Sequence, residues 1–182
     1  MNLRLLLNKY GANFLLSESM YFLLSDSFKS KCRCVDRLLL KGMDKPFRVY
    51  TFEIDITNLP KSKDKFITMS VKERQKVADD EKNILFAKIL NEEITTTQLL
   101  EKDKEVRRML HFHNMSSREP FIKNYKKAFN NYLKGNWDKA HEYFTKCLLI
   151  NPLDGPSKCI EKYMEEFDFN SENANWKGYR DD

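Results

Sequence analysis

The sequence predicts an α+β protein in two parts, a mixed helix and strand module over residues 1–56 and an α-helical region over residues 115–182. Three observations predict it. The first third holds short apolar runs separated by breakers, the last third repeats its aromatic residues at helical spacing, and the chain of 182 residues has only 5 Gly and 5 Pro against 13 Phe and 8 Tyr. The spacing rule assigns period-two or continuous apolar runs to strands and three-to-four spacing to helices.

In the first part, Leu3, Leu6, Leu7 and Tyr10 share one helix face, and Gly11 stands where a helix end favours glycine. Residues 2–10 therefore read as the tail of a helix. Asn13-Phe14-Leu15-Leu16 is an apolar run suited to a buried strand, and Ser17 is placed to cap a short helix carrying Met20, Tyr21, Leu23 and Leu24. Cys32 to Leu40 and Pro46 to Ile54 read as two strands joined by a hairpin loop at Lys41-Gly42-Met43-Asp44-Lys45. Pro46 fits a strand start or an edge.

Residues 57–68 are polar and breaker-containing and read as a linker. A charged helical connector follows over residues 69–114. Ser70 with Glu73 makes a capping box before Val71, and Thr97 with Glu101 leads into Leu99, Leu100, Val106, Met109 and Leu110. In the last part, Phe121, Tyr125, Phe129 and Tyr132 form one apolar face, Gly135-Asn136 breaks the chain, and Trp137, Ala140, Phe144, Cys147 and Leu148 form a second face. An antiparallel helix pair results. A third helix is expected from Pro156 to about Phe167, capped by Asp154 or Ser157.

Composition narrows function. The 32 Lys and Arg against 27 Asp and Glu give a net charge of +5, with both signs interspersed. Nucleic-acid recognition, which needs a dense basic stripe, is not expected. A mean hydropathy of -0.65 and the absence of a long apolar run predict no membrane segment and no signal peptide. Cys32, Cys34, Cys147 and Cys159 match neither zinc spacing nor a secreted disulfide framework, so reduced intracellular thiols are expected. His111 and His113 flank Phe112 at a predicted helix end and read as surface or capping residues. Glycine-rich phosphate loops, Ser-His-Asp arrangements and HExxH are missing from the sequence.

Gly135, Trp137, Ala140, Phe144, Cys147 and Pro152 stand where the tetratricopeptide repeat places its turn, packing and terminal residues, and residues 115–182 resemble one such repeat with a capping helix and tail. The groove of such a pair would be bordered by Tyr125, Tyr132 and Trp137, which serve either as core or as a surface for a protein partner. Trp176, Tyr179 and Arg180 form an aromatic and cationic cluster in the tail. That cluster either docks on its own helices, the preferred reading, or anchors a partner.

A second resemblance covers residues 3–55. Leu7-Asn8-Lys9-Tyr10-Gly11, Asn13-Phe14-Leu15-Leu16-Ser17-Glu18, Cys34-Val35-Asp36-Arg37, Leu40-Lys41-Gly42 and Lys45-Pro46-Phe47-Arg48-Val49-Tyr50 follow the order of the last helix, strand, helix and hairpin of class III adenylate/guanylate cyclase domains. Asp154-Gly155-Pro156-Ser157 and Trp176-Lys177-Gly178-Tyr179-Arg180 resemble the extension that follows this domain in some protist enzymes. The resemblance implies a partial ferredoxin-like module and a role in cyclic-nucleotide signalling from ATP or GTP. It also implies that two metal-binding aspartates, and the Mg or Mn they hold in a complete cyclase, belong to an upstream or second cyclase half. Asn2 and Arg4 are two residues apart, so they do not meet the family's one-turn spacing for its catalytic pair. No catalytic residue is therefore expected here, and Lys41 alone stands where the family's hairpin lysine reaches the nucleotide. The competing expectation is a non-enzymatic adaptor whose helical half binds a protein.

Overall fold

The computed structural model describes residues 3–52, 69–95, 98 and 118–181. The chain is mixed α+β and divides into two units, residues 1–54 with 112–182, and residues 55–111. The expected separation of residues 1–56 from 115–182 is therefore replaced by one unit that contains both. The reason is non-local: charged residues of the first part find their partners in the last, as described below.

Helix α1 (Leu3–Tyr10) ends at Gly11, whose φ of +54° is the left-handed conformation that costs glycine least. The Ala12 amide closes the end by donating to the Leu7 carbonyl at 3.1 Å. The expected strand at Asn13–Leu16 is shorter and displaced, with β1 confined to Leu16–Ser17. Ser17 then caps α2 (Glu18–Leu23), its Oγ accepting from the Met20 amide, and a single turn, α3 (Asp26–Lys29), leads into β2 (Cys32–Leu39). The hairpin closes through β3 (Phe47–Phe52), which pairs antiparallel with both β2 and β1.

The register of β2 against β3 shifts between Cys34 and Asp36. A bulge of this kind inserts a residue and re-aims the side chains beside it. As a result the consecutive residues Val35 and Asp36 are both fully buried, which simple alternation forbids. Val35, Leu38 and Val49 form a small core with Leu6 and Tyr10 of α1.

In the same unit, α5 (Arg118–Leu133) and α6 (Trp137–Ile150) form the helix pair, and α7 (Gly155–Glu165) packs on α6 and α1. Phe121, Tyr125, Ala128, Phe129 and Tyr132 of α5 meet Trp137, Ala140, Phe144 and Cys147 of α6, and Ile160 and Met164 of α7 complete this larger core. Asp154 is the α7 cap, accepting from the Ser157 amide, and Pro156 sits in the first turn. The tail then adds a strand that periodicity does not reveal: β4 (Arg180–Asp181) pairs parallel with Leu38 and Leu39, giving the sheet order β1-β3-β2-β4.

Gly155 is where α1 and α7 meet. A Cβ there would sit on the Tyr10 carbonyl oxygen and within 3.0 Å of Gly11 backbone atoms. Because those are main-chain atoms, Gly155→Ala is expected to cost about 1–3 kcal/mol, read from the urea midpoint.

In the other unit, α4 (Val71–Leu90) starts at the expected capping box, with Ser70 Oγ accepting from the Glu73 amide and Glu73 accepting from the Ser70 amide. It buries none of its side chains among the described residues, and Ile84, Phe86 and Leu90 are exposed. Thr95 and Gln98 exchange reciprocal side-chain to amide bonds of 3.1 Å, a second capping box. Thr97, Glu101, His111, His113 and the expected linker at 57–68 lie outside the described residues.

Candidate functional site

Two buried ion pairs tie β2 to the last part of the chain, one to the tail strand β4 and one to the cap of α7. Asp36 of β2 is fully buried, and its Oδ2 accepts from the Tyr10 hydroxyl at 2.7 Å and lies 3.3 Å from Nε of Arg180 in β4. Its Oδ1 accepts from the Tyr132 hydroxyl at 3.2 Å and from the Arg37 amide at 2.8 Å. Burial pushes this carboxyl above its usual range, against the pull of Arg180 and the hydroxyl donors. Burial also raises Tyr10 and Tyr132, and the Asp36 charge raises both further, so both remain hydroxyl donors. The Arg180 guanidinium lies 4.0 Å from the centre of the Tyr163 ring, a second source of charge compensation.

The other pair is bidentate. Arg33 of β2 donates from its two terminal nitrogens to Asp154 at 2.6 and 3.1 Å, and its guanidinium lies 4.1 Å from the Tyr125 ring centre. Burial works to raise the Asp154 carboxyl, but Arg33 and the Ser157 amide outweigh it and hold the group below the usual carboxylate range. A depressed carboxyl adds stability above its unfolded value near ~4 and loses it as pH falls toward the folded one. The urea midpoint is accordingly expected to drop below pH ~4, and Asp154→Asn is expected to reduce that acid dependence.

These networks are enclosed, so they stitch the fold together and offer no acid–base group to solvent. The residues named in advance separate accordingly. Tyr132 and Trp137 are at most 1% exposed, Tyr125 is 2% and Arg180 3% exposed. Their reading as partner-binding residues gives way to core roles, because each ring fills the α5–α6–α7 interior and Arg180 neutralises Asp36. Trp176 packs between Tyr132 and Trp137, with centroid distances of 4.6 and 5.3 Å, and donates from Nε1 to the Leu133 carbonyl at 3.2 Å. Tyr179 is half-buried, its ring 6.0 Å from the Arg37 guanidinium. The tail thus docks on its own chain. Lys41 stands apart from this group, exposed in the turn with Gly42 at the hairpin tip.

The cysteines are free thiols, and burial pushes Cys34 and Cys147 up to about 12, so neither is an activated nucleophile. The described residues contain no cluster of three or more metal-ligating side chains.

One cavity of about 360 Å³ opens where α2, α3 and the hairpin face α5. Among the described residues its charged lining comes from Lys29, Arg33, Arg118 and Lys126, with no carboxylate among them. Tyr21, Tyr50, Ile122 and Phe129 supply its apolar wall. Sequence reading did not single it out, because its cations come from segments with no common motif.

The chain matches no family model, no curated protein and no solved structure. Among the described residues, no helix is long and apolar enough to cross a membrane.

Proposed function

We propose that residues 1–56 are the closing part of a class III nucleotidyl cyclase domain, a partial ferredoxin-like module, and that residues 115–182 are its tetratricopeptide-like extension. The supporting observation is the order of elements: helix α1, strand β1, capped helix α2, then the β2–β3 hairpin with β1 alongside β3. That is the order the sequence resemblance implies. In this reading Lys41 at the hairpin tip meets nucleotide phosphate only when an upstream or second cyclase half supplies the metal-binding aspartates with Mg or Mn. The chain alone makes no cyclic nucleotide.

The test is an assay with ATP or GTP and Mg or Mn, with the chain alone and with a class III catalytic half that carries the aspartates. Activity is expected only in the mixture, falling about tenfold or more with Lys41→Ala, the effect of losing one charged phosphate contact. Cyclic nucleotide made by the purified chain alone, or a mixture indifferent to Lys41, would overturn the reading.

A second reading, a non-enzymatic adaptor, is favoured by Leu149 and Leu153, which are 78% and 85% exposed beside the α6–α7 turn. It draws on these leucines in place of the buried aromatic residues. Leu149→Ser with Leu153→Ser would then abolish capture of the partner while leaving the fold intact.

A further inference from the structure

The cavity between the hairpin and α5 has a chemistry that neither reading uses. Four cationic side chains from three places in the chain, Lys29, Arg33, Arg118 and Lys126, converge on a space of about 360 Å³. That volume lies in the range of small-molecule sites. Arg33 is matched by Asp154, and Lys29 has Asp26 at 3.7 Å, an acid whose side chain is fully exposed. Arg118 donates from one terminal nitrogen to the Ser30 carbonyl at 3.3 Å. Lys126 has no ion-pair partner among the described residues, so positive charge remains in surplus around the cavity.

A second, independent observation concerns polar atoms. The Tyr125 hydroxyl, on a residue 2% exposed, has no hydrogen-bond partner among the described residues, and the same holds for the buried Nε of Arg118. Buried donors are rarely left without an acceptor. Burial raises the phenol well above its ordinary value, so this hydroxyl keeps its proton and is available to donate. Two unfilled donors beside surplus positive charge call for one ligand feature, an anionic oxygen.

The remaining wall describes the rest of the ligand. Tyr21 and Tyr50 stack at 3.8 Å with an angle of 4°, and with Ile122 and Phe129 they present a flat apolar boundary. Inorganic phosphate would leave that boundary without a partner.

We infer that this cavity binds a small organic anion that joins a flat ring to a phosphate or carboxylate. The anionic oxygens accept from the Tyr125 hydroxyl and from Arg118 and Lys126, and the ring lies against the apolar wall. The site involves no covalent step and does not depend on cyclase chemistry or on Lys41.

Calorimetric titration of the full chain with phenyl phosphate tests it, with inorganic phosphate and phenol as the two halves of the probe. Saturable binding of phenyl phosphate, tighter than either half by about tenfold or more, is expected. Tyr125→Phe removes only the oxygen and should weaken binding about tenfold, and Lys126→Gln on the outer rim of the cavity should do likewise. Matching circular dichroism and urea midpoints show that these two variants fold. Absence of saturable binding, equal affinity for inorganic phosphate, or binding unchanged in both folded variants would each overturn the inference.

Discussion

Arg180→Ala is expected to destabilise the chain by about 3–5 kcal/mol, because it leaves the fully buried Asp36 carboxylate without its counter-charge. The Tyr10 and Tyr132 hydroxyls and the Arg37 amide would still donate to it, but they carry no net charge to offset burial. Asp36 would respond by holding a proton to higher pH than it already does. A carboxyl raised in the folded state contributes most below its unfolded value near ~4 and loses that contribution as pH rises through the folded one. The deficit of Arg180→Ala should therefore be smallest near pH 4 and largest at neutral pH. Arg180→Lys, which retains charge but not the planar contact with Tyr163, should lose less. Urea unfolding at the two pH values checks both statements, and a neutral-pH loss below about 1 kcal/mol would mean that Asp36 is already carried protonated.

Asp154→Ala is the second large effect, also about 3–5 kcal/mol. One carboxylate serves two functions there: it pairs both terminal nitrogens of Arg33, and it accepts from the Ser157 amide as the cap of α7. The cap alone accounts for about 1 kcal/mol. The remainder reflects an Arg33 guanidinium stranded over the Tyr125 and Phe121 rings, 4.1 and 5.1 Å from their centres. Asp154→Asn keeps an acceptor for the cap and should fall between wild type and alanine. Equal losses for Asn and Ala would assign the whole effect to charge.

Local signals read well from the sequence. Gly11 as a helix end, Ser17 and Ser70 as caps, the turn at Lys41-Gly42 and the α5–α6 pair each depend on residues within a few positions of one another. The third helix was expected from Pro156, with Asp154 one of two candidate caps, and the structure selects Asp154 and starts α7 at Gly155.

Non-local features did not read. Asp36 is buried beside Val35 where the register of β2 shifts, and only a residue near the other end of the described chain, Arg180, explains its charge. Asp154 is legible as a helix cap, but its pairing with Arg33, 121 residues away, is not. The tail strand escaped notice because two residues carry no period. The proposed anion cavity left no motif at all, since Lys29, Arg118 and Lys126 come together only through packing.

The place of β4 bears on how the molecule assembles during synthesis. Leu38 and Leu39 leave the ribosome long before Arg180 and Asp181, and until then the outer edge of β2 has unpaired main-chain groups beside an unneutralised acid. Such an edge invites pairing with other chains. Closing a loop that spans most of the protein is also slow compared with forming the α5–α6 pair. Self-association should therefore compete chiefly in the interval between hairpin formation and tail docking, and chains cut just before Arg180 should remain in that vulnerable interval.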